Sequence, residues 1–475
     1  MKALVLGGGP AGLCAAWNLA QDGHRVLVLE REPVWGGLSI TFERQGYRYD
    51  LGPHNIHSRR ESVLRFLAGV LGDRFLTYYP VLQIYFRGRR IAYPLVGLEV
   101  LGAIPLLTAL ACGASFVGNR GLSVFSRGYR DDGSYETWVV NRFGRRFYDI
   151  FFGPYSAKVW GIPPRELSDI VAKKRIAVRS IGELIRSILV RTESYHPENA
   201  RLIKNHYPAG GVGEISDFFA RGIRAAGGEI RTNSRVDRLV LEGGSIRTVS
   251  WTNGGRRESL DLSDGEEAWQ VLSTVPLNDL VKTIEGPVAD PVRQAAGELD
   301  FTSEVLLYLN LNGPSAFGVH LLYFSESEFP FNRIYDIGLF SREMVPAGKS
   351  ALCIELTCSQ SDALWTKEPS EVLALCMPSL ERHRLLDRSR VEDYHIRRLE
   401  HAYPRFRVGY QKRVQTILDF VDAVENLTTF GRQGLFTYAN VDDAIWMGFE
   451  IAKSLPYRKR MPLPLKELLP SYIDF

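Results

Sequence analysis

Residues 4–20 read LVLGGGPAGLCAAWNLA, and the way this stretch folds decides how the rest of the chain is read. Its start, with Lys2 and Ala3, is a short apolar run suited to a buried parallel strand. After the glycines, AGLCAAWNLAQDG has helical spacing and closes on Gly23, a residue able to take the left-handed conformation that ends helices. Between strand and helix, Gly7, Gly9 and Gly12 stand in GxGxxG spacing. The first glycine permits a tight turn, the second lets a pyrophosphate approach the backbone, and the third allows close packing of helix on strand. The helix N-terminus then offers amide groups and a positive dipole end to the diphosphate. HRVLVLE at 24–30 reads as the next strand, and Glu30 at its end is placed to accept hydrogen bonds from an adenosine ribose. A glycine motif alone is weak; with strand, helix, strand and terminal acid in register, the stretch predicts a dinucleotide site.

The whole chain has 475 residues, which suggests two or three domains, some discontinuous. Its 58 basic and 54 acidic residues leave a net charge of +4, and no Lys/Arg block with interleaved aromatics marks a nucleic-acid surface. The cysteines, Cys14, Cys112, Cys353, Cys358 and Cys376, form no CxxC pair and no zinc-type cluster. Neither a metal nor a disulfide framework is indicated, and a cytoplasmic location is expected. Residues 1–20 are apolar, but the glycine cluster and strand–turn–helix pattern favour a folded segment over a signal peptide. Residues 91–118, IAYPLVGLEVLGAIPLLTALACGASFVG, carry a single charge, Glu99. Pro94, Pro105 and the glycines break this run, so a buried or interfacial helical hairpin ranks first, membrane-surface contact second and a true span third.

Along the chain, residues 1–75, 200–290 and 410–456 look like pieces of one α/β nucleotide-binding domain. The inserts 76–199 and 291–409 differ from them: the first is rich in helical periodicity and aromatics, the second in strand-like runs such as SEVLLYLNLN and SALCIELTC. The economical assembly makes the inserts a second, substrate domain, with cofactor and substrate meeting in a cleft. The Gly-rich stretch at 253–267 reads as a hairpin or loop, and 457–475 as a C-terminal appendage.

The residues just beyond the first strand–helix–strand unit point to FAD. Arg31, then Gly36, Gly37 and Thr41, resemble the second glycine pair by which FAD families of the glutathione-reductase type return the chain to the pyrophosphate. YRYDLGPHNIH at 47–57 resembles the segment of those flavoproteins that passes close to the isoalloxazine ring. The resemblance makes Gly52, Pro53 and His54 cofactor contacts, with His54 also a candidate hydrogen-bond partner or acid/base group.

Further blocks resemble flavoproteins of the amine-oxidase superfamily, protoporphyrinogen-oxidase-like and UDP-galactopyranose-mutase-like. FFGPYSAKVWGIPPRELSDIVAKKRI (151–176), HYPAGGVGEISDFFARGIRAAGGEI (206–230) with RTNSRVDRLVLEGGSI (231–246), VLSTVPL (271–277) and NLTTFGRQGLFTYANVDDAIWMGFEIA (426–452) occur in the family's order. The implied fold is α/β: a discontinuous Rossmann-like FAD-binding domain of the glutathione-reductase type with an interrupted α+β substrate domain. The resemblance implies that the backbone of Val236 holds the adenine. It also implies that a strand delivers Arg432, and that Asn440 and Asp442 sit before a helix starting near Asp443, whose amides stabilise negative charge on a reduced flavin.

Two reactions share this cofactor. An oxidoreductase delivers a substrate hydride to flavin N5; a sugar mutase uses reduced flavin as a nucleophile and needs cations for a nucleotide diphosphate. The block ELDFTSEVLLYLNL (298–311) carries Thr302 where the mutases have an arginine, which removes a bidentate diphosphate ligand. The cations Lys158, Arg175, Arg333 and Arg432 are candidates for an anion-binding set, and each is equally readable as a surface charge or a structural ion pair. Catalytic candidates are His54, Arg333 and Arg175; substrate-binding candidates are Tyr155, Lys158, Trp160, Thr302 and Tyr438, with packing the competing role for the aromatics. The expectation is an FAD-dependent oxidoreductase acting on a small molecule, with an anionic one among the options. A mutase on sugar nucleotides or lipid-linked sugars is the alternative, and a flavin-stabilised binding protein a third reading. No feature fixes the oligomeric state.

Overall fold

The computed structural model describes residues 1–58, 60–93, 115, 131–176, 204–263 and 269–455. They fall into two compact units. The first comprises Met1–Leu76, His206–Asp300 and the described residues from Tyr410 onward; the second comprises the described residues of Thr77–Asn205 and Phe301–Gly409. Apart from 91–93 and 115, the apolar run at 91–118 lies outside the described residues, as does the appendage at 457–475. Among the described residues, no helix is long and apolar enough to cross a membrane.

The opening stretch forms the centre of the first unit. Lys2–Leu6 lies in a parallel sheet ordered Leu427–Thr429, Trp269–Ser273, Lys2–Leu6, Arg25–Leu29, Glu229–Arg231. Ala3 to Leu6 are buried, as expected of a parallel strand covered on both faces. The helix Pro10–Gln21 starts on Gly9, with Pro10 in a position where a missing N–H costs nothing. It ends on Gly23 at φ +78°. The Gly23 amide donates to the Ala20 carbonyl at 3.0 Å and the His24 amide to the Leu19 carbonyl at 2.9 Å, which satisfies carbonyls the helix leaves over.

The helix Val441–Ser454 packs against this first helix at Gly448, where a Cβ would stand 2.6 Å from the Cys14 Cβ and 2.7 Å from the Ala11 carbonyl oxygen. A second sheet joins Arg256–Asp261, Ser245–Asn253, Ser234–Glu242 and Ile284–Glu285. Gly254 and Gly255, at φ +54° and +85°, close its hairpin as a type I′ turn, so the start of the Gly-rich 253–267 stretch is a hairpin turn.

The second unit is built on a sheet ordered Val391–Pro404, Phe301–Asn312, Lys349–Cys358, Arg333–Asp336, Leu321–Phe324, Leu82–Phe86, Arg89–Ala92. Neighbours are antiparallel except Leu321–Phe324 with Leu82–Phe86. Alternation along Phe301–Asn312 separates two faces. Val305, Leu307, Leu309 and Leu311 join Leu352, Ile354 and Leu356 in an apolar core that includes Val372, Leu373, Cys376 and Leu380 of the helix Pro369–Arg382. The opposite side chains, Thr302, Glu304, Tyr308 and Asn310, are buried polar groups or carry a polar tip, in register with Thr357 and Cys353 of the neighbouring strand.

Asp336, at the end of its strand, is 1% exposed. Burial pushes its carboxyl up from 3.8 to about 6, with the Ser315 hydroxyl and the Gly338 amide working the other way. A buried carboxyl raised in this way contributes stability below pH 4 that is lost as pH rises through about 6. Asp336→Asn is therefore expected to stabilise the protein at pH 8 by on the order of 2–3 kcal/mol. The gain should vanish at pH 4, as read by urea unfolding at both pH values; an equal gain at both would rule out titration as its source.

Candidate functional site

The glycine turn sets the geometry of the first unit's site. Gly7 takes φ +101°, and its amide donates to the Leu29 carbonyl at 2.9 Å. A Cβ on Gly12 would lie 2.2 Å from the Gly7 carbonyl oxygen, so no other residue permits this approach of helix to turn. Beside Gly9 the space is open: a Cβ there would meet nothing within 4 Å. Gly36 and Gly37, at φ +114° and +56°, return the chain to the same place. The Gly36 amide donates to the Gly8 carbonyl at 2.7 Å, and a Cβ on Gly37 would stand 3.2 Å from the Gly9 Cα.

Glu30 is buried at the end of its strand. It accepts from the Gly8 amide at 2.6 Å and from the Glu32 amide at 2.9 Å. Burial pushes its carboxyl up, and these two amides oppose that. A carboxylate has about four acceptor sites, so capacity is left for ribose hydroxyls. Open space at a helix N-terminus, two converging glycine pairs and a buried acid fit a dinucleotide. The Arg31 side chain is largely exposed and pairs with Glu32 at 3.0 Å. Val236 pairs with Trp251 on one side of its strand, whereas Ile284–Glu285 joins the other edge only from Leu239 onward.

The segment 47–57 is organised by Asp50, to which the sequence alone gives no separate role. Asp50 ends the strand Tyr47–Asp50 and is buried. Its Oδ1 accepts from the Thr41 hydroxyl at 2.6 Å and its Oδ2 from the Tyr207 hydroxyl at 2.5 Å, with the Val212 amide 3.3 Å from both oxygens. Gly52, at φ +92°, turns the chain after it, followed by half-buried Pro53. The His54 Nδ1 lies 3.1 Å from the Gly52 carbonyl oxygen and 3.9 Å from Asp50 Oδ2.

In the last block, two expectations are corrected. Arg432 is not on a strand: Leu427–Thr429 ends before it, and Gly431 at φ +80° starts the single turn Gly431–Gly434 that carries it. Its guanidinium donates to the Ala439 carbonyl at 3.1 Å and stacks 4.9 Å from the centre of the Tyr438 ring. The helix starts at Val441 rather than near Asp443, because Asn440 and Asp443 form a reciprocal capping box. The Asn440 side chain is thereby engaged as the cap. Asp442 is buried, and burial pushes its carboxyl to about 6, with Asp443 adding to the shift and the Ser58 hydroxyl opposing it. Arg60 pairs with Asp443 and lies 4.5 Å from the centre of the Trp446 ring, which ties the start of the helix Glu61–Leu71 to this helix.

The second unit holds the remaining candidates, and several change role. Thr302 is fully buried and its hydroxyl donates to the Trp160 carbonyl at 3.3 Å, so it is a strand-to-helix tie and not a substrate contact. Trp160 is 3% exposed and packs against Phe406 and Tyr403 at 5.7 and 6.2 Å, a core role. Lys158 donates to the carbonyls of Phe324 and Glu326 at 3.1 and 2.5 Å, and burial lowers its pKa to about 8. Its ammonium is thus engaged by backbone rather than held out for an anion.

Arg333 forms a bidentate pair with Glu355, Nε to Oε2 and Nη2 to Oε1 both at 2.9 Å, with the Tyr403 hydroxyl 3.4 Å from Nη2. Burial pushes the Glu355 carboxyl up and Arg333 pulls it back. Tyr323 lies 6.0 Å under the guanidinium, and Tyr155 meets Tyr323 edge-on at 6.4 Å. Arg333 and Tyr155 are therefore gathered around Tyr323. Arg175 ends the helix Asp169–Arg175, and its side chain lies outside the described residues. Sequence reading missed Glu355 and Tyr323; the acid inside the apolar run SALCIELTC was the signal for the first.

Comparison with known proteins agrees with this geometry. Residues 10–415 match the model of the family described as flavin containing amine oxidoreductase. Phytoene desaturase (neurosporene-forming) of Cereibacter sphaeroides is 25% identical over 278 residues, 53% of this chain and 50% of that protein. All-trans-retinol 13,14-reductase of Rattus norvegicus is 38% identical over 82 residues, 17% of this chain and 14% of that protein. The chain thus spans half or less of the length of these two curated relatives. A crystal structure of reduced UDP-galactopyranose mutase superposes with a TM-score of 0.82 at 21% identity, covering 100% of this chain and 99% of that one, a likeness of fold. With a match over most of its length and a glycine turn shaped for a dinucleotide, the chain belongs to the flavin-containing amine oxidoreductase family, with FAD as its cofactor.

Proposed function

We propose that this protein is an FAD-dependent oxidoreductase that takes a hydride from a small-molecule substrate at flavin N5. The observation that carries the reading is the family match over 10–415, which runs through both units. When bound, FAD supplies the two-electron acceptor. The chain's own part is to hold the cofactor and shape the substrate's surroundings. Gly7, Gly9, Gly12, Gly36 and Gly37 leave room for the pyrophosphate, Glu30 accepts the ribose, and the backbone at Val236 takes the adenine. The Gly52–His54 turn borders the ring, and the start of the helix Val441–Ser454 offers amides to developing negative charge.

Substrate selection falls to the polar sheet face around Arg333, Tyr323 and Tyr155. The Arg333 fork is matched by Glu355 and the Lys158 ammonium by carbonyls. This arrangement favours a substrate without a diphosphate over the sugar nucleotide of a mutase. Peripheral membrane contact through 91–118 suits an apolar substrate, and co-sedimentation with vesicles, compared with a variant carrying Leu106→Asp, tests it.

Anaerobic addition of substrate is expected to bleach the visible absorbance of the FAD-loaded protein, with one equivalent of oxidised product formed per flavin. Polycyclic amines, porphyrinogens and isoprenoids form the test panel, with sugar nucleotides alongside. Turnover of a sugar nucleotide that appears only after dithionite, without net redox change, would replace this reading with the mutase.

A further inference from the structure

The Asp50 carboxylate is surrounded by donors whose own bonding leaves little choice of direction. Thr41 Oγ1 accepts from the Gly213 amide at 2.8 Å, so its hydrogen is directed to Asp50 Oδ1 at 2.6 Å. The Tyr207 hydroxyl and the Val212 amide complete the set. Three donors from two separated parts of the chain thus converge on a side chain 3% exposed. Four residues further on, His54 places Nδ1 against a carbonyl oxygen, which can only accept; the ring proton therefore lies on Nδ1, on the side facing Asp50.

We propose that Asp50 is a positioning residue for His54: its buried carboxylate, locked by Thr41, Tyr207 and Val212, orients the ring and titrates jointly with it as a pH-responsive pair. The link from this pair to the flavin rests on the reading that the Gly52–His54 turn borders the ring. Among the described residues, the titratable groups around Asp50 include His54 on its own segment and Glu214 on the helix Gly213–Ala225. Glu214 is paired with Arg74 and lies near Arg48, which in turn faces Glu43. Burial holds the Asp50 carboxyl up at about 6, with the Thr41 and Tyr207 hydroxyls and the Val212 amide opposing the shift.

Nitrogen NMR of histidine-labelled, FAD-loaded protein tests the pair, with His54→Gln identifying the signal. The wild-type His54 resonances should show the proton on Nδ1 and, besides the ring's own titration, a second inflection near pH 6 from Asp50 that Asp50→Asn removes. Tyr207→Phe keeps the carboxylate but withdraws one donor, so the inflection should move up by on the order of one pH unit, which keeps the test available if Asp50→Asn does not fold. A His54 titration unchanged in both variants overturns the proposal. The flavin reduction potential, followed against pH in the same samples, tests the underlying reading separately. A break near pH 6 that Asp50→Asn abolishes supports both. A variant-sensitive NMR inflection with no break in the potential keeps the pair and overturns its placement at the flavin.

Discussion

Alanine at position 12 is expected to leave a protein that no longer holds FAD. The added Cβ would lie 2.2 Å from the Gly7 carbonyl oxygen and 3.2 Å from Val5 Cγ1, both in the packed start of the chain, so the turn itself must shift. Overpacking of this kind costs about 1–3 kcal/mol of stability. The same shift moves the amides that face the diphosphate, and loss of about 3 kcal/mol of binding corresponds to a weakening on the order of 100-fold. Gly9→Ala separates the two effects. Gly9 has φ −74° and ψ 174°, which alanine adopts freely, and its Cβ would meet no protein atom within 4 Å. That variant should unfold like the wild-type apoprotein yet bind FAD at least tenfold more weakly, because the methyl group enters the space reserved for the pyrophosphate. Flavin fluorescence titration and apoprotein melting give the two readouts. Unchanged FAD affinity in Gly9→Ala would remove the pyrophosphate from this turn.

Arg333→Ala is expected to destabilise the protein by about 3–5 kcal/mol, since it leaves the Glu355 carboxylate buried without its partner. Glu355 is 1% exposed, and both of its oxygens are engaged by the Arg333 guanidinium. Unpaired, its carboxyl is held up by burial alone, so the loss should shrink as pH falls and Glu355 takes up a proton. Arg333→Met with Glu355→Leu should recover most of the stability, because matched apolar side chains often equal a buried ion pair. Recovered stability with lost turnover places this pair in substrate recognition. Recovered stability with turnover intact assigns it to the sheet's architecture alone. Equal destabilisation at pH 5 and pH 8 would contradict an unpaired buried carboxylate as the cause.

The nucleotide half of this protein was legible in its sequence because each requirement is local. Gly7, Gly12 and Gly23 are demanded by backbone conformations or close approaches within the opening strand–helix unit, and the capping residues Asn440 and Asp443 lie three apart. The return of Gly36 and Gly37 to the turn was legible only through the resemblance to FAD families, since it joins Gly36 to the Gly8 carbonyl across distant positions of the chain. The substrate half was not legible in the same way. Sequence marked Lys158, Thr302 and Arg333 as chemical groups, but whether a cation awaits an anion or is already matched depends on partners 22 to 168 positions away. Only the folded sheet sets Glu355 against Arg333 and the Phe324 and Glu326 carbonyls against Lys158, and only burial turns Thr302 from a ligand candidate into a tie to Trp160. Sequence alone therefore determined a dinucleotide-binding strand–helix–strand unit, since dihedral and steric demands are written residue by residue, and its resemblances implied FAD and the fold around it. Tertiary structure decided which charges are already paired and which acids, Asp50 among them, are buried, since desolvation and pairing exist only once distant strands meet.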